Sequence, residues 1–529
     1  MQGLPLTDIN LPAEILVLVC PYLCKKDQLR ARLVSRKLHY AATIQAFRSI
    51  RLKPDGDTPS QFREIAMSEA LRGFVKEVIV DTEPDPEVRH DSISRFHVCE
   101  NLLQFLPYLG LFNNLTHLHL RFARSSDAQG FFVYMGWYFR YLVLDITAHC
   151  VTRRWTPANR AKIYETKPPV GKDKFEYTPD APVVRGNLLQ IKELTISHLA
   201  DFNDRRLIRS QAWYKLLRLP TLTDLKLLVG EDHLRYGTLL SARKYAFFSA
   251  LPSQWLTPKV AQKLQVLSLF YTDYWGPYPK VDLDQIGALP FLKVLALGRY
   301  VFTDKKETDW IASLGKNNKS GGLEELYLDE CCVLFQAKQY VNLTAVLDTD
   351  PGPYAAIETT MYSRRWYHVL SEWTVTMQGL KKFVMGVGEW SCPFRTKETW
   401  DNEIDPVTEA MVRDPPDWYF GHNRHRFFAH PEPENFERGF LAAYHSRSEK
   451  SKAVPMGNYL LGEGLRQKRR AQMQYAWYNV RVPGQWCIGN QFGIYSDDIG
   501  CWAPERVTPD LDDAAYALLM ETIRNRPRS

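Results

Sequence analysis

The chain has 529 residues and a mass of 61.3 kDa, enough for roughly three to four average domains or for one long repeat domain with satellites. Its 45% hydrophobic and 24% charged residues exclude a largely disordered chain. The net charge of +7 sits in one place: residues 1–53 hold nine Lys/Arg against three acids, and the rest of the chain is nearly neutral. A basic module of this kind could meet nucleic acid, anionic lipid or an acidic protein partner, and charge alone does not choose among them.

The longest uncharged, apolar-looking stretch, Leu102 to Leu120, is broken by Pro107, Gly110 and Asn113-Asn114, so no membrane span is expected. The N-terminal run LPAEILVLVC lacks a basic lead and contains Pro12 and Glu14, unlike a signal peptide. Nine scattered cysteines without a C-x-x-C pair point to reduced thiols in an intracellular protein, cytoplasmic or nuclear.

Residues 8–52 parse as three short helices. Asn10 is placed to cap the first, with Pro12 close behind, and Ile15, Leu16, Leu18 and Val19 are too many apolar positions for one stripe. Pro21 ends that helix, and Asp27 is a good cap for a second, on which Leu29, Arg32 and Leu33 share a face. A third run from Ser35 puts Leu38, Ala41 and Ala42 on one side. About 45 residues bury too little surface to stand alone, so this unit expects a covering partner.

Leu11-Pro12-x-Glu14-Ile15-Leu16, Tyr22-Leu23, Asp27-x-Leu29 and Leu33-Val34-Ser35-Arg36 together resemble the F-box motif. That resemblance implies a subunit that joins a substrate to a cullin-based ubiquitin ligase through an acidic adaptor of the Skp family. It also implies that Leu11, Pro12, Ile15, Leu16, Leu29, Leu33 and Val34 supply the adaptor contacts.

After the linker-like Pro54–Asp57, Thr58 or Ser60 is placed to cap a helix through Leu71, and VKEVIVD (75–81) reads as a strand. The pattern L-x-x-L-x-L then begins at Leu115, Leu222, Leu264, Leu292 and Leu323, with an overlapping copy at Leu106. Chance gives roughly one such match in a chain this long. Weaker forms begin at Val75, Phe139, Ile191 and Leu380. Its last two leucines would lie about 200° apart on a helix but share a face on a strand, so the pattern marks the start of a strand.

This series resembles the leucine-rich repeat architecture, in which parallel strands line a concave face with helices behind. The fullest copy, LEELYLDECCV, uses Leu323, Leu326, Leu328, Cys331 and Val333, which makes Cys331 a buried repeat position and Cys332 a more exposed one. Spacings of 40, 24, 52, 31, 42, 28, 31 and 57 residues mark an irregular array with insertions at 153–187, 271–282 and 348–366. The ladder asparagine is replaced by Ala123, Gly230, Thr272 and Tyr300 in the other copies. The middle leucines Leu225, Leu267, Leu295 and Leu326 should be buried, and Lys226, Ser268, Ala296 and Tyr327 should face the other side.

From about Thr396 the composition turns rich in Pro, aromatics and acids, and no leucine pattern returns. A last helix opens at Thr508-Pro509-Asp510 with Asp512 and Asp513 in its first turn and Arg524 near its end; Ala514, Leu518 and Leu519 are expected to dock it as a cap. The expected fold is therefore α/β: an F-box at 1–53, a degenerate repeat array at 58–395 and a C-terminal extension at 396–529.

No Walker, G-x-G-x-x-G, H-E-x-x-H or G-x-S-x-G motif is present. Gly386-Val387-Gly388 is a bare G-x-G, His422, His425 and His430 lack ligand spacing, and Arg466 with Lys468–Arg470 reads as a solvated helix face. No catalytic centre, metal or cofactor is expected, and the confined basicity argues against nucleic acid. The expected role is non-catalytic substrate recognition. An edge formed by Tyr271, Tyr274, Trp275 and Tyr278 is the candidate for a protein substrate, unless these aromatics cover the array's own core. Two further readings are an adaptor-binding scaffold outside ubiquitination and an enzyme with its site in the C-terminal region.

Overall fold

The computed structural model describes residues 12–23, 25–54, 56–82, 101–122, 132–159, 183–230, 239–329, 331–340, 356–386, 473–480, 486–490 and 507–526. Three N-terminal helices, α1 (Ala13–Val19), α2 (Lys25–Ala31) and α3 (Arg36–Ala46), lead directly into strand β1 (Ser49–Leu52). Then follow α4 (Thr58–Met67), β2 (Glu77–Asp81), β3 (His117–Arg121), α5 (Phe132–Val151) and β4 (Glu193–Ala200). Next come α6 (Gln211–Leu217), β5 (Asp224–Gly230), α7 (Leu239–Gln254), β6 (Val266–Trp275) and β7 (Val294–Phe302). The chain continues through α8 (Lys305–Ser313), β8 (Glu325–Asp329), β9 (Cys332–Tyr340), β10 (Ile357–Met361), α9 (Trp366–Thr376) and β11 (Lys382–Gly386). Two short strands, β12 (Gln474–Asn479) and β13 (Trp486–Asn490), and a long helix, α10 (Thr508–Arg524), complete it.

Strands β1 to β8 pair in parallel in chain order, and β11 extends the row beyond β8. One register runs across the whole row: Ile50, Val78, Leu118, Leu194, Leu225, Leu267, Leu295, Leu326 and Phe383 stand side by side. All of them belong to a single core shared with Phe62 of α4, Trp213 of α6, Phe247 of α7, Trp310 of α8 and Trp373 of α9. Leucine is favoured there because each strand must bury one face against helices, and the next leucine of each pattern falls on the same face two residues on.

The same pair of backbone bonds opens each of these strands. The carbonyl of Lys192, for example, accepts the N–H groups of Thr223 and Asp224 at 2.9 and 3.0 Å, and Lys293 does the same for Glu324 and Glu325 at 2.8 and 3.0 Å. The four middle leucines are fully buried, and Ala296, Tyr327 and Val384 form a separate cluster on the opposite face, as the alternation requires.

The structure differs from expectation at several points. The weak copy at Phe139 lies inside α5, where Leu142, Val143, Leu144 and Ile146 are all buried; an apolar run this dense suits a helix wedged into the core as well as a strand. The overlapping copy at Leu106 forms a 3-10 turn at Leu106–Leu111. The helix from Thr58 stops at Met67, and Ser68 starts a separate turn at Glu69–Arg72. Residues 49–52 are already part of the sheet, so the N-terminal module runs into it without an intervening linker.

At β7 the sheet branches. Val301 and Phe302 pair with Cys332 and Val333 of β9, which pairs antiparallel with β10 and parallel with β12, while β13 closes on β12. Cys332 is consequently as buried as Cys331, because strands flank it on both sides. Helix α10 packs on α9 through Ala515, Leu519 and Ile523. Leu518 is 52% exposed and Ala514 is exposed, so the docking face is rotated by one position from the expected one. What turns it is Asp512, fully buried, whose carboxylate accepts the Tyr475 hydroxyl and the Tyr367 backbone N–H, both at 2.8 Å.

Candidate functional site

The three N-terminal helices share a small core of Cys20, Ala41 and Ala42, with Leu16, Val17, Ala31 and Leu38 partly buried around it. Polar bonds hold the helices together. Gln28 donates to the carbonyls of Cys20 at 3.2 Å and Leu23 at 3.0 Å, and Arg32 donates to Thr43 Oγ1 at 3.0 Å. Lys25 reaches the carbonyls of Ala46 and Ser49, fastening α2 to the chain as it enters β1. Ser35 caps α3 by accepting the Leu38 N–H at 3.2 Å.

What this small core leaves outside is apolar. On α1 and the turn after it, Ile15, Leu18, Val19 and Tyr22 are 41%, 64%, 46% and 90% exposed, a spacing of three, four and seven residues that puts them on one helical face. At the end of α2, Leu29, Leu33 and Val34 are exposed as well, Leu33 at 87%. Of the residues expected to contact an adaptor, Ile15, Leu29, Leu33 and Val34 are thus accessible, as is Pro12. Leu16 is not fully available, since it packs into the module's own core. Leu11 lies outside the described residues. Leu18, Val19 and Tyr22 were not among the adaptor contacts expected from sequence; the signal for Leu18 and Val19 was the surplus of apolar residues in the first helix. Scattered exposed leucines need no explanation, but seven exposed apolar residues on and just after two short helices are a candidate interaction face.

The sheet surface opposite the helices forms a second candidate. Its first register row carries Glu77, His117, Glu193 and Asp224 on neighbouring strands, then Val266 and Val294. Lys226 donates to Glu193 at 2.6 Å, Asp81 is flanked by Arg51 and by Arg121 at 3.5 Å, and His119 meets Ser197 Oγ at 2.6 Å. Burial pushes the His117 imidazole down, and burial and the neighbouring Glu193 push the Asp224 carboxyl up. From β6 onward the same face turns apolar, with Phe270, Ala296, Tyr327 and Val384. Charged and apolar halves therefore lie side by side on one surface.

The aromatic segment expected as a substrate edge is mostly interior. Tyr271, Trp275 and Tyr278 are buried; only Tyr274 is half-exposed. Tyr271 donates to Asp201 at 2.9 Å, Trp275 donates to the Gly298 carbonyl at 2.7 Å, and Tyr278 stacks on Tyr478 with ring centroids 4.2 Å apart. These residues extend β6 and seal the point where the sheet branches, which commits their area to packing.

Among the described residues no group of three or more His, Cys, Asp or Glu could hold a metal ion, and no helix is long and apolar enough to cross a membrane. Gly388, His422, His425, His430, Arg466 and Lys468–Arg470 lie outside the described residues.

Residues 9–53 match the F-box-like family model. The match ends within a residue of β1 and covers the three helices with the exposed apolar face. F-box domains bind Skp-family adaptors of ubiquitin ligases and are typically non-catalytic receptors. No curated protein matches the chain.

Proposed function

We propose that this chain is the substrate-recognition subunit of a Skp–cullin–F-box ubiquitin ligase. The observation that carries the reading is the coincidence of the F-box-like match with a module whose apolar residues outnumber what its own core can bury. In this reading Pro12, Ile15, Leu29, Leu33 and Val34, joined by Leu18, Val19 and Tyr22, form the adaptor face, and Leu11 contributes with them.

The sequential parallel row behind the module is read as a degenerate leucine-rich repeat solenoid, in keeping with its shared register and the leucine at each middle position. A protein substrate would then lie across the sheet surface from the charged ladder at β2–β5 to the apolar strip at β6–β11. The ligase's chemistry belongs to other subunits; this chain contributes by positioning the substrate. The domain division in this reading is the F-box at 1–53, the array at 58–395 and the C-terminal extension at 396–529, with β1 at the end of the F-box already paired to the array's first strand.

The test is affinity capture of the intact chain and of a variant carrying L18D and L33D from cells. Recovery of both adaptor and cullin with the intact chain, and of neither with the variant, is the expected result. Recovery of the adaptor without cullin would favour a scaffold outside ubiquitination, and recovery of neither with the intact chain would overturn the reading.

A further inference from the structure

The near-neutral charge of the chain beyond residue 53 conceals a local imbalance on the helical back of the array. Between β4 and β6, Arg205, Arg209, Lys215 and Lys259 are exposed, and Arg218 and Lys263 are half-buried beside them. None of the six forms an ion pair with a carboxylate among the described residues, whereas nearby Arg206 pairs with Asp204 at 2.5 Å and Lys244 with Asp273 at 3.1 Å. Elsewhere on the helical face some exposed cations are compensated: Arg72 pairs with Glu69 at 3.2 Å, Lys305 with Asp309 at 2.5 Å and Lys306 with Asp284 at 2.5 Å.

Its centre is built. Lys263 donates to the carbonyls of Leu217 and Leu219, neutralising the negative end of α6, which would otherwise repel an anion. Arg218 lies 3.4 Å above the ring of Tyr214, itself 44% exposed. Burial, and to a lesser degree repulsion from Arg218, push the Lys263 ammonium down to about 8. Next to them a cavity of about 30 Å³ opens between α6 and the end of α7, lined by Tyr214, Arg218, Gln254, Trp255, Thr257 and Val260. The wall holds two buried side-chain atoms without a partner, the Thr257 hydroxyl, which can donate, and the Gln254 amide oxygen, which can only accept and so calls for a protonated or amide group rather than a bare anion beside it.

We propose that this patch docks a short acidic segment of a partner protein, with carboxylates against Arg218, Lys263 and the surrounding cations and Tyr214 as the central contact. A nucleic acid would need a basic track along several repeats, and toward β7 the exposed Lys305 and Lys306 are already paired with Asp309 and Asp284. A bilayer would need apolar residues to insert, and Tyr214 stands alone among the charges. The surface lies on the face away from the strands and does not depend on the adaptor reading.

The test uses the full chain, a fluorescently labelled glutamate-rich peptide and anisotropy at low and high salt. The expected result is binding that weakens with salt and falls roughly tenfold or more in R209Q/K215Q/K259Q, whose side chains form no hydrogen bond or ion pair among the described residues, and stays unchanged in K305Q/K306Q. Absence of peptide binding, equal loss in both variants, or tighter binding of an RNA oligonucleotide or of phosphatidylserine vesicles through the same residues would overturn it.

Discussion

Truncating Leu267 to Ala tests the architecture at its centre. Leu267 is fully buried and stands in register between Leu225 on β5 and Leu295 on β7. Core Leu-to-Ala changes cost about 2–5 kcal/mol, the spread depending on how far the surroundings collapse into the space. Here both flanking leucines are held by continuous ladders and cannot follow, so the upper half, about 3–5 kcal/mol, is expected. Ser268, one residue on, points to the other face beside Lys226 and Ala296; S268A should change stability by less than about 0.5 kcal/mol. Urea unfolding followed by tryptophan emission reads both, with Trp255 and Trp275 buried nearby. Because repeat arrays can lose cooperativity, the midpoint of the first transition is the quantity to compare. Equal midpoints for L267A and S268A would refute the assignment of faces.

Other outcomes follow from the same contacts. W275A should cost about 3–5 kcal/mol, since it removes a buried ring and its bond to Gly298, whereas Y274A should cost less than about 1 kcal/mol; thermal melts of the two separate packing from a surface role. G315A should cost at least about 1 kcal/mol in urea unfolding, because Gly315 sits at φ +71° and an added Cβ would press on the Leu292 carbonyl. Burial raises the Asp512 carboxyl from 3.8 to about 7, against the bonds from Tyr475 and Tyr367. A raised folded-state value means the stabilisation is full below 3.8 and is lost as pH rises through about 7. The melting temperature of the wild type relative to D512N should fall across that window, and a flat difference would contradict the assignment.

Much of the sheet was legible because the leucine pattern obeys two constraints at once. The five strong copies at Leu115, Leu222, Leu264, Leu292 and Leu323 each precede a strand, since only a strand puts the last two leucines on one face. The Phe139 copy failed for the converse reason: FRYLVL is apolar enough for a helix buried around most of its circumference. Strands β9, β10, β12 and β13 were invisible because their partners are set by the branch at β7, and β12 finds β9 from more than a hundred residues away. The break after the first N-terminal helix was readable from Pro21, but Asp27, expected as a cap, lies inside α2, Asn10 lies outside the described residues, and which apolar residues stay outside depended on how little three short helices can bury. The cationic patch escaped because net charge summed over the chain averages Arg205–Lys263 with acids on other faces.

The central claim is that the exposed residues of α1 and α2 are a docking face for a Skp-family adaptor. Isothermal titration of a purified adaptor into the full chain, the L18D/L33D variant and L267A measures it directly. The account predicts a saturable binding heat with the full chain, its loss in L18D/L33D with the melting temperature unchanged, and its retention in L267A below that variant's own melt. Binding by L18D/L33D at the affinity of the unmodified chain would contradict it.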